Sequence, residues 1–430
     1  MAEKVMVVNG GGAGRGDALM RSLSQSPHTE KAYAAPGNAG TTRWGENISI
    51  SDTDIEGIIR FSRDNDIGLI VVGSDISLEL GITDEALKEG IAVFGPTKEA
   101  ARLETSKTFA AEFNEAHNIP QANFKVFGPG HAEEAREYIR QQGIEKVVIK
   151  ADGLCLGKGV VLPETEKEAF ATLDEMMVNI QSKFENAGRT VVVQERLKGW
   201  EASIMVFSDG RHIVPLISAK DYKRLLDGDK GPNTGGMGSI APNPRMTHRL
   251  MDDIMKTIVR PTIKSMRESG TPFKGILYTG VMVTDEGPKV LEFNVRFGDT
   301  ETQVQVPLLR SDLYTIIKAC TDGTLRRDMV QWWPLCTAGI VLAAPGYPDN
   351  PQKGTPIEGF YKQEPAGQII FFGGAKGDIR INSATVDGGR VMTVVGYGPD
   401  IAIARENARR NIGEDKIHFD GMQLREDIGE

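Results

Sequence analysis

Apolar runs and helix-periodic stretches alternate along roughly the first hundred residues. Val5 to Val8 reads as a buried strand running into the glycine-rich turn Asn9 to Gly16, with a helix predicted from near Asp17. Two further apolar runs, Leu69 to Val72 and Ile91 to Phe94, end at Gly73 and at Gly95-Pro96, with helical patterns between them. This order predicts an open parallel sheet. Ligands bind at the carboxyl ends of such strands, where Gly10 to Arg15, Gly73 to Asp75 and Gly95-Pro96 converge. Further on, Lys146 to Lys150 forms a strand that enters the loop A-D-G-L-C-L-G-K-G-V at Ala151 to Val160, a small lid-like unit. A larger mixed segment from Val192 to about Leu325 holds a second glycine loop, G-P-N-T-G-G-M-G at Gly231 to Gly238, and the strand leading to Glu292. The Pro and Gly cluster at Ala344 to Gly354 precedes a final segment with alternating runs such as Arg390 to Val395, which predicts a small sheet-rich domain.

Composition narrows the function classes. The 430 residues are 40% hydrophobic and 25% charged, enough for several packed domains. A net charge of -9 argues against a broad nucleic-acid or anionic-membrane surface. Cys155, Cys320 and Cys336 show no metal-ligand spacing and predict free thiols in a reducing cytosol. The short apolar run at the amino terminus offers neither a secretory segment nor a membrane span, so a cytoplasmic protein is expected.

The strongest chemistry lies in L-E-F-N-V-R-F-G-D-T-E-T at Leu291 to Thr302. Strand alternation sends Glu292, Asn294 and Arg296 to one face, and Leu291, Phe293 and Val295 to the other. A carboxylate and an amide oxygen suit Mg²⁺, which keeps water and substrate phosphate in its other positions, while the arginine can hold an anion. The same spacing also fits a solvated outer face. The glycines from Gly10 to Gly16 do not meet the dinucleotide-binding spacing, and the loop Gly153 to Gly159 is one residue short of a Walker A loop and has Gly159 where Ser or Thr belongs. What remains is a glycine-lysine loop able to close over phosphates beside Lys150. Val193 to Glu201 reads as a strand running into a polar hinge that could present backbone groups to an adenine edge. Asp221 to Arg224 supplies charge next to a loop bare of side chains, a reason for close backbone approach to a ligand.

Taken with A-P-G-N-A-G-T at Ala35 to Thr41, F-G-P-T at Phe94 to Thr97, Ser106-Lys107 and I-K-A-D-G-L with G-K-G-V, these motifs resemble the phosphoribosylamine-glycine ligase (glycinamide ribonucleotide synthetase) family. That family is a purine-pathway branch of the ATP-grasp superfamily, and the resemblance covers nearly the whole chain. It implies an α/β and α+β multidomain fold: a Rossmann-like domain over 1–103, a two-lobed ATP-grasp over 104–328 with its lid lobe at about 123–195, and a sheet-rich domain over 329–430 to which Gly388 to Val391 belongs. It implies ATP with Mg²⁺, or Mn²⁺ in its place. Lys107, Lys150, Gly157 and Lys158 would contact the phosphates, with Gln194, Leu197 and Glu201 around the nucleoside and Glu292 and Asn294 as metal ligands. Arg296, Lys150 and Asp221 would stand at the reacting groups. Gly14, Arg15, Asp75, Asn233, Thr234, Gly235, Arg296, Gly298 and Asp299 would face a phosphoribosylamine-like amine and glycine or another amino acid. The implied reaction phosphorylates a carboxylate, and an amine then displaces phosphate. No nucleic-acid or membrane partner is implied, and the expected state is monomer or homodimer.

Departures from the family pattern cluster. Gly14 to Leu19 reads G-R-G-D-A-L where a glutamate and a histidine are usual, Gly73-Ser74-Asp75 replaces G-P-E, and Tyr222 and Thr300 stand for a histidine and a proline. All four are expected on the substrate side, which also admits a paralogue joining a different amine. On the ATP side, Gln194 stands where an acidic residue is usual.

Overall fold

The first sheet places its ligand-facing edge as the apolar runs require. In the computed structural model, which describes residues 2–10, 12–155, 159–179, 185–360 and 365–430, β1 (Glu3–Asn9) pairs in parallel with β2 (Thr29–Pro36) and β4 (Ile67–Val72). The two-residue β3 (Glu46–Asn47) and β5 (Ala92–Phe94) complete the order β3-β2-β1-β4-β5. Val5 and Val7 join one hydrophobic cluster and Met6 and Val8 another, so both faces are covered and the run is continuously apolar. The chain reverses its direction of winding between β1 and β4, which opens a crevice at Asn9 and Gly73.

The lid lobe is a separate antiparallel sheet of β6 (Phe124–Phe127), β7 (Val147–Ala151), β8 (Val160–Val161) and β9 (Val191–Glu195), in the order β6-β9-β7-β8. It has a core of its own around Phe127, Ile149, Leu173 and Val193. The second lobe is built on β10 (Trp200–Asp209), β11 (Ile213–Pro215), and two strands that follow an excursion through β12 (Lys220–Asp221), β13 (Arg224–Leu226), β14 (Lys230–Asn233) and β15 (Gly238–Ala241). Those two strands are β16 (Lys274–Thr284) and β17 (Gly287–Asn294), and the sheet order is β11-β10-β16-β17. The core of the first sheet is continuous with this lobe: Met6 and Val8 share a cluster with Ile204, Leu277 and Phe293.

The carboxy-terminal strands β18 (Cys336–Ala343), β19 (Gln368–Phe372), the hairpin β20 (Ala375–Asp378) and β21 (Ser383–Val386), and β22 (Arg390–Gly398) follow. Their main sheet runs β12-β15-β18-β22-β19, so two strands from the middle of the chain complete it. Among the described residues no helix is long and apolar enough to cross a membrane.

The second glycine loop is shorter than the sequence predicts. Lys230–Asn233 pairs antiparallel with Arg224–Leu226, and Gly238 already belongs to β15, leaving 234–237 as the connection. The cause is the preceding Asp227-Gly228-Asp229, where Gly228 (φ +68°) and Asp229 (φ +53°) both take the left-handed conformation that closes a hairpin.

Candidate active site

The Glu292 strand carries its chemistry through a register fault. Gly280 pairs with Glu292 and Val281 with Val290, so Leu291 is bulged out of the ladder. Its freed carbonyl accepts a hydrogen bond from Lys150 Nζ at 2.8 Å, which links the lid strand to the Glu292 strand. The ladder ends at Asn294, and Arg296 lies beyond it, yet Arg296 Nη2 still donates to Asn294 Oδ1 at 3.0 Å. Phe293 and Val295 are buried on the opposite side, as alternation requires.

A cavity of about 220 Å³ opens in front of this strand. Glu292, Asn294, Arg296, Lys107, Asp75, Asp221, Thr234, Gly235, Gly298 and Asp299 all line it. Lys150 and Gln194 line a small adjoining pocket that shares Lys107 and Glu292 with it. Burial alone would push the Glu292 carboxyl up, but Lys223, Lys107, Lys150 and Arg296 outweigh it and hold the group below the usual carboxylate range. Burial pushes the Lys150 ammonium down to about 8, with Glu292 opposing and Lys107 reinforcing the fall. Lys107, Lys150, Lys223 and Arg296 thus gather around the ionised Glu292 carboxylate, a local surface suited to a polyanion and a divalent ion together. Among the described residues no cluster of three or more His, Cys, Asp and Glu could hold a metal by itself. Glu292 and Asn294 fit an ion whose remaining positions are filled by phosphate and water.

Lys107 opens the helix Lys107–Ala116, capped by Ser106 Oγ, and the backbone N–H of Thr108 donates to Asp152 Oδ1 at 3.1 Å. The glycine loop of the lid therefore starts against a helix amino terminus, a favourable place for phosphate. Gly157 and Lys158 lie outside the described residues. Leu197 sits between β9 and β10, and its backbone groups make no hydrogen bond among the described residues. The hinge approaches the carbonyl of Val283 at Gly199 (φ +155°) so closely that a Cβ would stand 2.2 Å from that oxygen. Glu201 is exposed and accepts from Lys223 Nζ at 2.8 Å.

The other wall gathers groups from distant segments. Glu104 receives the backbone N–H of Val295 at 2.7 Å and faces Arg296 Nη2 at 3.3 Å. Arg296 Nε is buried without a hydrogen-bond partner among the described residues. The Asp75 carboxyl is desolvated, yet Arg296 and Arg15 hold it below the usual range. Arg15 does not line the cavity: its Nε donates to Asn9 Oδ1 at 2.9 Å and its backbone N–H to Asp299 Oδ2 at 3.2 Å. Gly14 is packed so tightly that a Cβ would meet Gln303 Nε2 at 2.6 Å, and that amide donates to Asp299 Oδ1 at 2.7 Å. Arg390 Nη1 donates to the carbonyls of Asp299, at 3.1 Å, and Gly235, joining the carboxy-terminal sheet to the cavity. Gly236 (φ +111°) lets the loop pass Asp221, whose carboxyl is pushed well above its ordinary range by burial and by Glu301. Asn233 ends β14, exposed and outside the cavity lining.

Glu104, Lys223, Tyr278, Glu301 and Arg390 were missing from the sequence-based site. Lys223 stood inside D-Y-K-R and Arg390 inside G-G-R-V, so both carried a local signal. Glu104 and Tyr278 carried none, because their contacts come from packing.

Three of the four departures are not on an open substrate surface. Asp17 is fully buried, accepting from Arg43 Nη2 at 2.8 Å, Trp44 Nε1 at 2.7 Å and the backbone N–H of Phe372 at 2.8 Å, which fastens the first sheet to the carboxy-terminal one. Tyr222 is buried under the Arg425 guanidinium, and its hydroxyl accepts from the backbone N–H of Gly429. Thr300 is buried and bonded to Ser239. Asp75 alone of the departing residues lines the cavity. Its neighbour Ser74 caps the helix Asp75–Leu80 and donates to Asp52 Oδ2 at 2.7 Å.

A two-lobed fold with lysines gathered around an ionised carboxylate and an amide on one strand is that of an ATP-grasp enzyme, which uses ATP and a divalent metal. Sequence profiles of phosphoribosylglycinamide synthetase match in sequence order: the N domain over residues 3–104, the ATP-grasp (A) domain over 105–302 and the C domain over 337–430. The chain belongs to this family of ligases. It is 42% identical over 431 residues to a phosphoribosylamine–glycine ligase of Neisseria meningitidis serogroup A, covering 99% of each chain. It is 41% identical to the ligase of that name from Caldanaerobacter subterraneus subsp. tengcongensis, again over 99% of each. All of this chain also matches, at 40% identity, the trifunctional purine biosynthetic protein adenosine-3 of Gallus gallus, of whose length it spans 42%. The crystal structure of a Thermotoga maritima phosphoribosylamine–glycine ligase superimposes with a TM-score of 0.85 at 33% identity, covering 99% of this chain and 100% of that one. The biotin carboxylase domain of a Hydrogenobacter thermophilus 2-oxoglutarate carboxylase, solved with MgADP, shares the fold with a TM-score of 0.74 at 14% identity, over 99% of this chain and 92% of that one.

Proposed function

We propose that this chain joins glycine to phosphoribosylamine, converting ATP to ADP and phosphate. The observation that carries the reading is one cavity lined by Glu292, Asn294 and Lys107 together with Arg296, Asp75, Thr234 and Gly235. A nucleotide phosphate and a small acid and amine would meet there. Lys107, Lys150 and the lid loop with Gly157 and Lys158 hold the triphosphate; Gln194, the backbone of Leu197 and Glu201 hold the nucleoside, the last by exchanging Lys223 for ribose hydroxyls. Glu292 and Asn294 hold Mg²⁺, with Mn²⁺ as a substitute, which when bound supplies charge neutralisation at the phosphates. The glycine carboxylate oxygen attacks the γ-phosphorus and ADP leaves. The amine nitrogen then attacks the acyl carbonyl, the carbon-oxygen bond to phosphate breaks, and the amine loses its proton. Arg296 orients the carboxylate through its guanidinium and steadies the developing charge. Burial and Glu301 push the Asp221 carboxyl toward its protonated form, in which it can donate a hydrogen bond to the reacting groups. Asp75, Arg15, Gly14, Asn233, Gly298 and Asp299 form or shape the amine subsite. The free thiols fit the cytoplasmic setting we propose.

The reading is tested by ADP release with ATP, Mg²⁺, glycine and freshly generated phosphoribosylamine, omitting each in turn. Release that needs both glycine and phosphoribosylamine supports it; release restored only by another amino acid or amine overturns it. At the amine subsite, Asp75→Asn should raise the KM for phosphoribosylamine about tenfold or more with little change in the KM for ATP, the size expected for losing a charged hydrogen bond. Equal effects on both would remove Asp75 from the amine subsite. A second expectation concerns protons. Free Lys150 titrates at about 8, and a bound triphosphate raises it, so ATP binding between about pH 8 and 9.5 should take up a proton. Calorimetry in two buffers of different ionisation heat reads this directly, and identical heats would contradict it.

A further inference from the structure

A second, larger concavity lies apart from the catalytic cavity among the described residues. A groove of about 1100 Å³ runs between the helix Arg260–Glu268, the turn joining β10 to β11 and the segment 324–327, and it shares no lining residue with the catalytic cavity. Seven Arg and Lys side chains line it against a single acidic one, Glu268, in a chain whose net charge is -9. Lys264 reaches Glu268 at 3.9 Å and Arg326 reaches Asp328 at 3.2 Å. Arg211, Lys256, Arg260, Arg267 and Arg327 form no ion pair among the described residues. Crowding five uncompensated cations around one concavity raises the free energy of the empty protein, and a bound anion would relieve it.

The walls are built rather than accidental. Asp209, with its side chain buried, accepts from the backbone N–H groups of Arg211 at 2.8 Å and His212 at 2.6 Å through Oδ1. Its Oδ2 accepts from the backbone N–H of Leu325 at 3.2 Å and faces His212 Nδ1 at 2.9 Å. One carboxylate thus fixes the turn bearing Arg211 to the segment bearing Arg326 and Arg327. The floor between these cations is apolar: Ile213, Val214, Pro261, Ile263 and Leu325. Phosphate alone has no use for such a floor.

We infer that this groove is a second small-molecule site, for a nucleoside triphosphate whose phosphates meet the Arg260 and Arg327 cations while its base lies on the Ile213 to Leu325 floor. The volume suits a ligand of that size. A long nucleic acid is disfavoured by the acidic remainder of the chain.

The test is equilibrium dialysis of the full chain with GTP and with CTP at low salt, after the catalytic cavity has been saturated with a non-hydrolysable ATP analogue. One triphosphate per chain should remain bound. Its affinity should fall at least tenfold in Arg260→Glu with Arg327→Glu, and fall also in 0.3 M salt, while basal ligation and the circular dichroism spectrum stay unchanged. The milder pair Lys256→Ala with Arg267→Ala should weaken binding in the same direction if the charge reversals disturb folding. Absence of binding to the saturated protein, affinity indifferent to both variant pairs, tripolyphosphate binding as tightly as either nucleotide, or a single-stranded RNA binding more tightly than both would each overturn the inference. Because dialysis reads binding and not turnover, its failure leaves the ligase reading where it stood.

Discussion

Glu292→Gln should lower ligation at saturating substrates by about a hundredfold or more while the chain remains folded, the scale of losing a charge that neutralises phosphoryl transfer. Glutamine keeps the shape of the side chain and removes a carboxylate that Lys107, Lys150, Lys223 and Arg296 hold ionised. On the proposed reading the metal would lose a ligand that an amide oxygen replaces poorly. The empty cavity also becomes more positive, so ATP without metal should bind at least as tightly as before. This pairing of a slow enzyme with undiminished nucleotide affinity separates a metal-ligand role from a general loss of structure. ADP release under saturating ATP and Mg²⁺, set beside nucleotide titration in chelator, reads both halves, and near-normal turnover would remove Glu292 from the mechanism.

Arg296→Met should be costly in two independent ways. Ligation should fall because the guanidinium proposed to orient the carboxylate is gone, and stability should fall by about 3–5 kcal/mol because Glu104 is left buried without its counter-charge. Glu104 lies 4% exposed by side chain, bonded to Val295 and facing Arg296, and burial already pushes its carboxyl up. Adding Glu104→Gln to the methionine variant should therefore restore much of the stability and none of the activity. Denaturation midpoints of the single and double variants measure the coupling between the two positions. If the double variant were as unstable as Arg296→Met alone, the charge pair would not be what holds this wall.

Much of the architecture was legible because it is written in short-range pattern. The continuous apolar runs Val5 to Val8 and Leu69 to Val72 gave a parallel sheet with both faces covered, and the glycines that end them gave its crevice. The motif from Leu291 to Thr302 pointed at a polar face that the cavity contains. The readings that failed did so where a local signal competed with a distant partner. Asp17, Tyr222 and Thr300 differ from the family pattern and were taken for a changed substrate surface, but each is buried against another segment. Asp17 meets the backbone of Phe372, 355 residues away, and Tyr222 meets Gly429, 207 residues away, so neighbouring residues could not reveal either contact. The hairpin at Asp227 to Asp229 is a different failure, since its Asp-Gly turn signal was present and was passed over in favour of the glycines after it.

The sequence by itself determined the elements and the chemical types at the site: side-chain alternation along a strand and the conformational freedom of glycine act over a few residues and need no partner. Tertiary structure decided which charges face one another. The bulge that turns the Leu291 carbonyl toward Lys150, the pairing of Glu104 with Arg296 and the reach of Arg390 to Asp299 and Gly235 exist only once separate sheets have packed. Electrostatic and hydrogen-bond energies depend on distance in space and on burial, and neither quantity is set by distance along the chain.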